Sequence, residues 1–193
     1  MTEEQILAEF RAANALLEGH FILSSGLRSP RYLQCARVLM DPKRASRLAE
    51  ALANKIEPRL RESIDIVVSP AMGGVIIGHE MGRALGVEAL FVERPEGTFE
   101  LRRGFRLAKG QKVLMVEDVV TTGLSSREAI KAIEAEGGKV IAAASLVDRT
   151  GGRVDLGVPY FPLIAIDVPT YSADALPPEL AAIAAIKPGS RAA

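Results

Sequence analysis

The chain has 193 residues, which is enough for one domain with a full hydrophobic core. Lysine plus arginine and aspartate plus glutamate number 24 each, so the formal net charge is +0 at pH 7. This balance argues against the strongly basic surface of proteins that bind nucleic acid or anionic membranes.

Three further features of the composition bear on location and metal binding. The apolar runs are far shorter than a bilayer span, and the acidic N-terminus does not resemble a signal peptide. The single cysteine, Cys35, cannot form an internal disulfide, and the two histidines, His20 and His79, are isolated in sequence. We therefore expect a cytoplasmic protein without a nucleic-acid partner, a membrane partner or a structural zinc site.

The N-terminal part of the chain predicts a helix, a lobe and a second helix. Apolar residues recur at helical spacing over residues 3–17, and Gly19 is expected to end this helix. Two apolar patches flank a Ser-Ser-Gly-Leu-Arg-Ser-Pro turn, which predicts a β-hairpin or hooked lobe within residues 20–40. Asp41 followed by Pro42 is typical of a helix start, and this helix is expected to reach about Pro58.

Apolar strands and helices alternate through the rest of the chain. The predicted strands cover residues 64–68, 89–92, 113–116, 140–147 and 163–168. The predicted helices cover residues 75–85 before Gly86, 127–136 before Gly137, and about 178–186. This order predicts an α/β fold with a mostly parallel sheet and helices on both faces. We expect a single domain over residues 1–193, with a lobe at about 19–40, a core at about 41–168 and a tail at 169–193 whose last residues, 187–193, are loose.

The stretch over residues 113–126 carries the clearest chemical pattern. A buried strand leads to Glu117 and Asp118, and a loop rich in hydroxyls and glycine follows before the next helix. Backbone N–H groups of such a loop and a helix N-terminus, worth about half a positive charge, can hold a phosphate. Carboxylates beside that anion suit ribose hydroxyls or a bridging metal ion. The pattern favours a phosphoribosyl site, and the alternative is a solvated turn with a helix-capping acid.

Three loops are expected to converge, because ligands bind at the carboxyl ends of parallel strands. They are residues 69–74, 117–126 and 148–152. Gly73 and Gly74 leave backbone N–H groups open to an anion, although an ordinary turn would also use glycine. Arg149 can bind a carboxylate by two hydrogen bonds, although it can also be a simple surface residue.

Residues 94–111 form a long, polar and basic segment between core strands. Such a segment is usually either a functional flap or a disordered excursion. A mobile basic loop can close over a pyrophosphate and stabilise its charge. The alternative is a solvated charged face.

The residues at 117–126 resemble the phosphoribosyl-pyrophosphate signature of type I phosphoribosyltransferases. The chain lacks both the P-loop and the dinucleotide-binding fingerprint. The lobe sequence from Gly19 to Tyr32, Ser-Pro-Ala-Met-Gly-Gly at 69–74 and Val-Asp-Arg at 147–149 further resemble the orotate branch of that family. The likeness covers nearly the whole chain. It implies the type I phosphoribosyltransferase fold, with a small N-terminal hood lobe and a flexible loop at about 94–111.

The resemblance implies that orotate and phosphoribosyl pyrophosphate are converted to orotidine 5′-monophosphate and pyrophosphate in pyrimidine (UMP) biosynthesis. The implied residues for phosphoribosyl pyrophosphate are Met72, Gly73, Gly74, Arg94, Glu117, Asp118, Val119, Val120, Thr121, Thr122, Gly123, Leu124 and Ser125. Those for orotate are Ser25, Gly26, Tyr32, Leu33, Thr121 and Arg149. The implied catalytic residues are Glu117, Asp118, Arg102 and Arg103.

The resemblance also implies a cofactor and an assembly. Mg²⁺ would be carried mainly by oxygens of phosphoribosyl pyrophosphate, with no direct protein ligand and with Asp118 a candidate through a water molecule. The family works as a homodimer, in which the loop at 94–111 closes over the neighbouring subunit's site.

The chain departs from well-known family members at several positions. Those members carry lysine where this chain has Ser24 and Gly73, and their basic loop is rich in lysine and histidine where this chain has Arg94, Arg102 and Arg103. The nearest alternative is a purine or uracil phosphoribosyltransferase, but a neutral base offers no carboxylate to Arg149. A non-catalytic regulator that senses phosphoribosyl pyrophosphate is a second alternative, and the balanced charge argues against it.

Overall fold

The computed structural model describes residues 1–23 and 26–187. Its helices are α1 (Glu3–Ala12), α2 (Cys35–Leu39), α3 (Pro42–Ala53), α4 (Pro58–Glu62), α5 (Gly74–Leu85), α6 (Leu124–Ala135) and α7 (Pro178–Ala181). Its strands are β1 (Leu16–Ile22), β2 (Arg28–Leu33), β3 (Ile66–Pro70), β4 (Glu88–Glu93), β5 (Glu100–Leu101), β6 (Lys112–Val120), β7 (Lys139–Asp148) and β8 (Tyr160–Ala165). None of the helices within these described ranges combines the length and the apolar character that crossing a bilayer requires.

The central sheet has six strands in the order β5-β4-β3-β6-β7-β8. All neighbouring pairs are parallel except β4 and β5, which are antiparallel. The predicted parallel α/β fold is therefore confirmed. Because β3, β6 and β7 are adjacent, their carboxyl ends bring the three predicted loops to one edge of the sheet.

The core lies on both faces of this sheet. Along β6, Leu114 and Val116 pack on the face covered by α3 and α5, whereas Val113 and Met115 pack on the face covered by α6. This alternation follows from the two-residue period of a strand. Each of these side chains is fully buried, and burial of that kind stabilises a fold by roughly 1.5–3 kcal/mol per residue before entropic costs.

Two helix boundaries match their predicted signals closely. The Asp41 carboxylate accepts hydrogen bonds from the backbone N–H groups of Lys43 (2.9 Å) and Arg44 (3.2 Å), which satisfies two donors at the start of α3. Gly86 ends α5 with a left-handed φ of 73°, a conformation that favours glycine.

The predicted helix over residues 3–17 is wrong at its C-terminal end. α1 ends at Ala12, and Leu16 and Leu17 instead pair with Leu33 and Tyr32 in the antiparallel β1–β2 hairpin. Gly19 therefore lies inside β1 and does not terminate a helix. Leu17 fits the helical spacing of apolar residues in the sequence. Its pairing with Tyr32 across the hairpin nevertheless places it in a strand.

Other predicted boundaries also move. The helix expected to reach Pro58 ends at Ala53, and Pro58 begins the separate α4. β6 continues through Glu117 and Asp118, which were expected to follow the strand, because its backbone stays paired with β7 as far as Asp148. β8 begins three residues earlier than predicted, at Tyr160, and α7 is shorter than predicted.

The C-terminal tail covers both edges of the hairpin. Arg28 and Tyr171 exchange backbone hydrogen bonds of 2.8 and 2.9 Å at the β2 edge. At the β1 edge the Ile186 carbonyl accepts a 2.8 Å bond from the Ile22 N–H, and the Ile186 N–H donates one of the same length to the His20 carbonyl. The segment predicted to be loose is 187–193, of which residues 188–193 lie outside the described residues. The division of the chain into lobe, core and tail stays a prediction.

Candidate active site

The acidic pair lies at the end of β6, where burial strongly affects its charge. Glu117 is only 7% exposed, and its carboxylate accepts a hydrogen bond from the Ser126 hydroxyl. Burial raises the pKa of Glu117 to about 7; hydrogen bonds from Ser126 and Ser125 oppose the rise, and the negative charge of Asp118 adds to it. Burial also raises the pKa of Asp118, against backbone N–H groups that lower it. Both carboxylates therefore favour a ligand that supplies hydrogen-bond donors or positive charge.

The loop after the acidic pair forms a cleft of about 240 Å³. Its lining consists of Arg94, Glu117, the run from Val119 to Ser126, and Glu128. The first N–H groups of a helix have no partner within the helix, and α6 begins at Leu124, inside this lining. The cleft therefore has the features of an anion site.

Gly123 allows the tight connection between this loop and α6. Its φ is +73°, and a Cβ added there would lie 2.6 Å from Val154 and 2.8 Å from the Arg127 guanidinium. No other residue would fit without displacing these neighbours.

The loop after β3 packs directly against the acidic pair. A Cβ on Gly73 would lie 2.6 and 2.8 Å from the two carboxylate oxygens of Asp118, and one on Gly74 would lie 3.1 Å from the Val116 carbonyl. This close approach explains why position 73 carries glycine here, where well-known members of the resembled family carry lysine. The preceding Ala71–Met72 peptide bond is cis, and the Met72 side chain is exposed.

Arg149 is placed at the same edge by the end of β7. Its backbone N–H donates a 2.9 Å hydrogen bond to the Val120 carbonyl, so it lies beside Thr121. Burial lowers the pKa of Arg149, and the neighbouring Tyr32 opposes that effect. Its buried Nε has no hydrogen-bond partner in the described part of the chain. A half-buried guanidinium of this kind is suited to an anionic ligand.

The turn that carries Arg149 is held by a buried carboxylate. Asp148 is 0% exposed and accepts 2.7 Å hydrogen bonds from both the backbone N–H and the hydroxyl of Thr150, together with a 2.9 Å bond from the Gly152 N–H. These bonds leave Asp148 satisfied and fix the turn around its neighbour.

Three of the four hood residues predicted to bind orotate lie in the described part of the chain. Tyr32 and Leu33 end β2, and the Tyr32 ring lies 5.7 Å from that of Phe21. Gly26 lies in the exposed turn between β1 and β2. Ser25, predicted to contact orotate, lies outside the described residues, as does Ser24.

Cys35 begins α2 and connects this helix to the acidic pair. It is buried, and its thiol donates a 3.6 Å hydrogen bond to the Asp118 carbonyl. Burial raises the pKa of this thiol, so Cys35 acts as a packed core residue.

The three arginines predicted to act from the basic segment at 94–111 lie in different environments. Arg94 lines the cleft, where it forms a 2.5 Å ion pair with Glu128 and stacks 4.1 Å from the Phe99 ring. Arg103 makes two hydrogen bonds to Glu93, of 2.9 and 2.8 Å. Arg102 is exposed, and neither it nor Arg103 lines the cleft of its own chain. The mobility of this segment stays a prediction.

Several residues of the site were not predicted, and Ser126 and Glu128, which line the cleft, are among them. Asp148 organises the Arg149 turn, and Arg127 hydrogen-bonds the carbonyls of Thr122 and Asp155. The sequence offers one signal for Arg127, since a basic residue is unusual in the first turn of a helix.

Comparison with known proteins agrees with this geometry. Residues 36–164 match the family described as "Phosphoribosyl transferase domain". A relative from Rhizorhabdus wittichii, named orotate phosphoribosyltransferase, is 76% identical and covers 100% of this chain and 98% of its own length.

Two solved structures share the fold. The orotate phosphoribosyltransferase of Aeropyrum pernix has a TM-score of 0.71 and 28% identity, over 83% of this chain and 93% of its own. The adenine phosphoribosyltransferase of Thermoanaerobacter pseudethanolicus has a TM-score of 0.61 and 25% identity, over 70% and 88%.

The sheet is thus that of a type I phosphoribosyltransferase, and the chain belongs to the phosphoribosyltransferase family. The relative that matches over its full length places it in the orotate branch of that family.

Proposed function

We propose that this chain transfers the 5-phosphoribosyl group of phosphoribosyl pyrophosphate to orotate, giving orotidine 5′-monophosphate and pyrophosphate. The same fold in an adenine enzyme means that architecture alone does not choose the base. The observation that carries the choice is Arg149, a half-buried guanidinium with an unpartnered Nε beside Thr121 and Tyr32. Orotate has a carboxylate for this group, and the neutral bases do not.

The phosphoribosyl pyrophosphate would lie across the three converging loops. The 5′-phosphate binds the loop from Thr121 to Ser125, the ribose hydroxyls bind Glu117 and Asp118, and the pyrophosphate lies over Gly73 and Gly74. Support comes from the cleft around the first loop and from the close contact between Gly73 and Asp118. Thr121 and the hood residues Gly26, Tyr32 and Leu33 enclose the base.

In the reaction the bond between the ribose anomeric carbon and pyrophosphate breaks, and orotate N1 bonds to that carbon. Positive charge develops on the sugar, and the carboxylates of Glu117 and Asp118 stabilise it. Negative charge develops on pyrophosphate, and the loop N–H groups and Arg94 stabilise that charge. The N1 proton of orotate leaves as the bond to the anomeric carbon forms, and an oxygen of the departing pyrophosphate accepts it.

The site fits Mg²⁺ that arrives with the substrate. Glu117 and Asp118 supply two adjacent carboxylates whose raised pKa values favour nearby positive charge. The described residues contain no group of three or more His, Cys, Asp or Glu side chains that could hold a metal by themselves. When bound, Mg²⁺ neutralises charge on the pyrophosphate oxygens.

We further propose a homodimer in which residues 94–111 close over the neighbouring subunit's site. The position of Arg102 and Arg103 away from the cleft of their own chain supports this arrangement. One of them would then stabilise the leaving pyrophosphate in the neighbouring site. A cytoplasmic location stays a prediction.

The test is consumption of orotate in the presence of phosphoribosyl pyrophosphate and Mg²⁺, followed as loss of the near-ultraviolet absorbance of orotate. Hypoxanthine and uracil serve as alternative bases under the same conditions. Turnover with either of them and none with orotate would contradict the proposal. Turnover with no base, together with binding of phosphoribosyl pyrophosphate, would support a non-catalytic sensor instead.

A further inference from the structure

Arg127 lies behind the phosphate loop and joins it to a second loop. Its Nη2 donates a 3.1 Å hydrogen bond to the Thr122 carbonyl, and its Nη1 donates a 3.0 Å bond to the Asp155 carbonyl. The guanidinium packs under Gly123, where an added Cβ would lie 2.8 Å from Nη1. Arg127 therefore links the phosphate loop at Thr122 to the segment around Asp155.

The charge of Arg127 is not neutralised by a carboxylate within the described ranges of the chain. The adjacent Glu128 is paired with Arg94, and the Asp155 carboxylate accepts a 2.8 Å hydrogen bond from the Gly157 N–H instead. Arg127 also lies in the first turn of α6, whose N-terminus is already positive. A cation at that position is unfavourable unless an anion binds nearby.

The two carbonyl contacts explain what this cation does. A loop binds a phosphate only when its N–H groups face the anion and its carbonyl oxygens point away. Arg127 binds the Thr122 carbonyl from outside the cleft, because Arg127 is not among the residues that line it. Arg127 thus does not touch the ligand and acts through the loop.

We propose that Arg127 is the positioning residue of the 5′-phosphate subsite, an inference that rests on the proposed function. It orients Thr122 and Gly123 and adds positive charge behind them. The orotate side is held independently, because Arg149 is fixed by the Val120 carbonyl and by the turn around Asp148. Loss of Arg127 should therefore affect the sugar phosphate selectively.

The experiment compares ribose 5-phosphate with pyrophosphate as probes, by titration calorimetry on the full chain. Arg127→Ala should weaken ribose 5-phosphate binding by about tenfold or more, as expected for loss of two charge-assisted hydrogen bonds. Arg127→Lys keeps the charge but cannot reach both carbonyls, and it should recover part of the affinity. Pyrophosphate binding should stay within about twofold, because its loop at 69–74 is separate.

Lys131→Gln is the matched control, since it removes one charge from an exposed position on the same helix. It should leave both dissociation constants unchanged. In steady-state kinetics, Arg127→Ala should raise the KM for phosphoribosyl pyrophosphate by about tenfold and leave the KM for orotate within about twofold.

Ribose 5-phosphate binding within twofold of wild type in Arg127→Ala, or equal loss of both probes, would overturn the inference. If the alanine variant does not fold, the lysine variant decides by the same comparison of the two probes. A wild-type protein that binds neither probe would contradict the proposed function itself, and the inference would fall with it.

Discussion

Burial of Glu117 makes the stability of the ligand-free protein depend on pH. Its carboxyl is 7% exposed, and its pKa rises from the ordinary 4.5 to about 7. The folded chain therefore keeps a proton on Glu117 between these two values, where the unfolded chain releases it. The contribution of Glu117 to the free energy of unfolding is greatest below pH 4.5. It decreases as pH rises and levels off above about pH 7.

Glu117→Gln should remove this dependence. Glutamine resembles the protonated acid and keeps an acceptor oxygen for the Ser126 hydroxyl. At about 1.4 kcal/mol per pH unit, the upper limit of the effect is about 3 kcal/mol. At about pH 5 the variant and wild type should unfold at similar urea concentrations, and at about pH 8 the variant should be more stable by up to about 3 kcal/mol.

The assay is urea unfolding without substrate or Mg²⁺, fitted with equal m values for both proteins. An identical stability difference at both pH values would refute the argument that burial controls this carboxyl. Turnover provides a second comparison, since the variant lacks the carboxylate that the ribose requires. The more stable protein at alkaline pH should thus be the less active one.

The other predictions concern the two ligand loops, the basic segment and the metal. Arg149→Ala should raise the KM for orotate by about 10- to 100-fold in steady-state kinetics, because a charge-assisted bidentate contact is lost. Gly73→Ala should lower kcat by roughly 100-fold, because its Cβ would displace the Asp118 carboxylate. Arg102→Ala should lower kcat by about tenfold without changing the melting temperature, whereas Arg103→Ala should also lower the melting temperature through loss of its contact with Glu93. Chelation by EDTA should abolish turnover and leave the circular dichroism spectrum unchanged, because the described residues hold no metal cluster.

The predictions for Arg149, the two loop arginines and EDTA each have a control or an opposing result. Arg153→Ala removes an exposed arginine from the loop after Arg149, where it pairs with Asp167, and should leave the KM for orotate unchanged. An effect of Arg149→Ala on phosphoribosyl pyrophosphate alone would contradict the orotate assignment. Equal melting temperatures for both loop variants would contradict a structural role for Arg103, and full turnover in EDTA would exclude a need for Mg²⁺.

The sheet and the meeting of the three loops followed from the sequence. β-branched and apolar runs predict buried strands, and the parallel order predicts that Gly73, Glu117 and Arg149 share one edge. Both conclusions need only local patterns and the general rules for connecting strands.

Several features did not follow because they depend on pairings distant in sequence. Leu17 fits a helical stripe, and only its pairing with Tyr32 shows that it lies in a strand. The pKa of Glu117 depends on burial by neighbouring elements, and the contact of Arg103 with Glu93 depends on the β4–β5 hairpin. The positions of charged residues in the sequence indicate neither the pKa of Glu117 nor the contact between Arg103 and Glu93.

The cover over the hairpin edges has a consequence for the order of events during synthesis. β1 and β2 leave the ribosome well before residues 171 and 186, and in the described ranges their outer backbone groups hydrogen-bond Tyr171 and Ile186. Until those residues emerge, both edges are open to pairing with other chains. The hairpin is therefore completed only after residues 171 and 186 have been made, and a nascent chain stalled before residue 171 exposes strand edges that these residues cover in the folded protein.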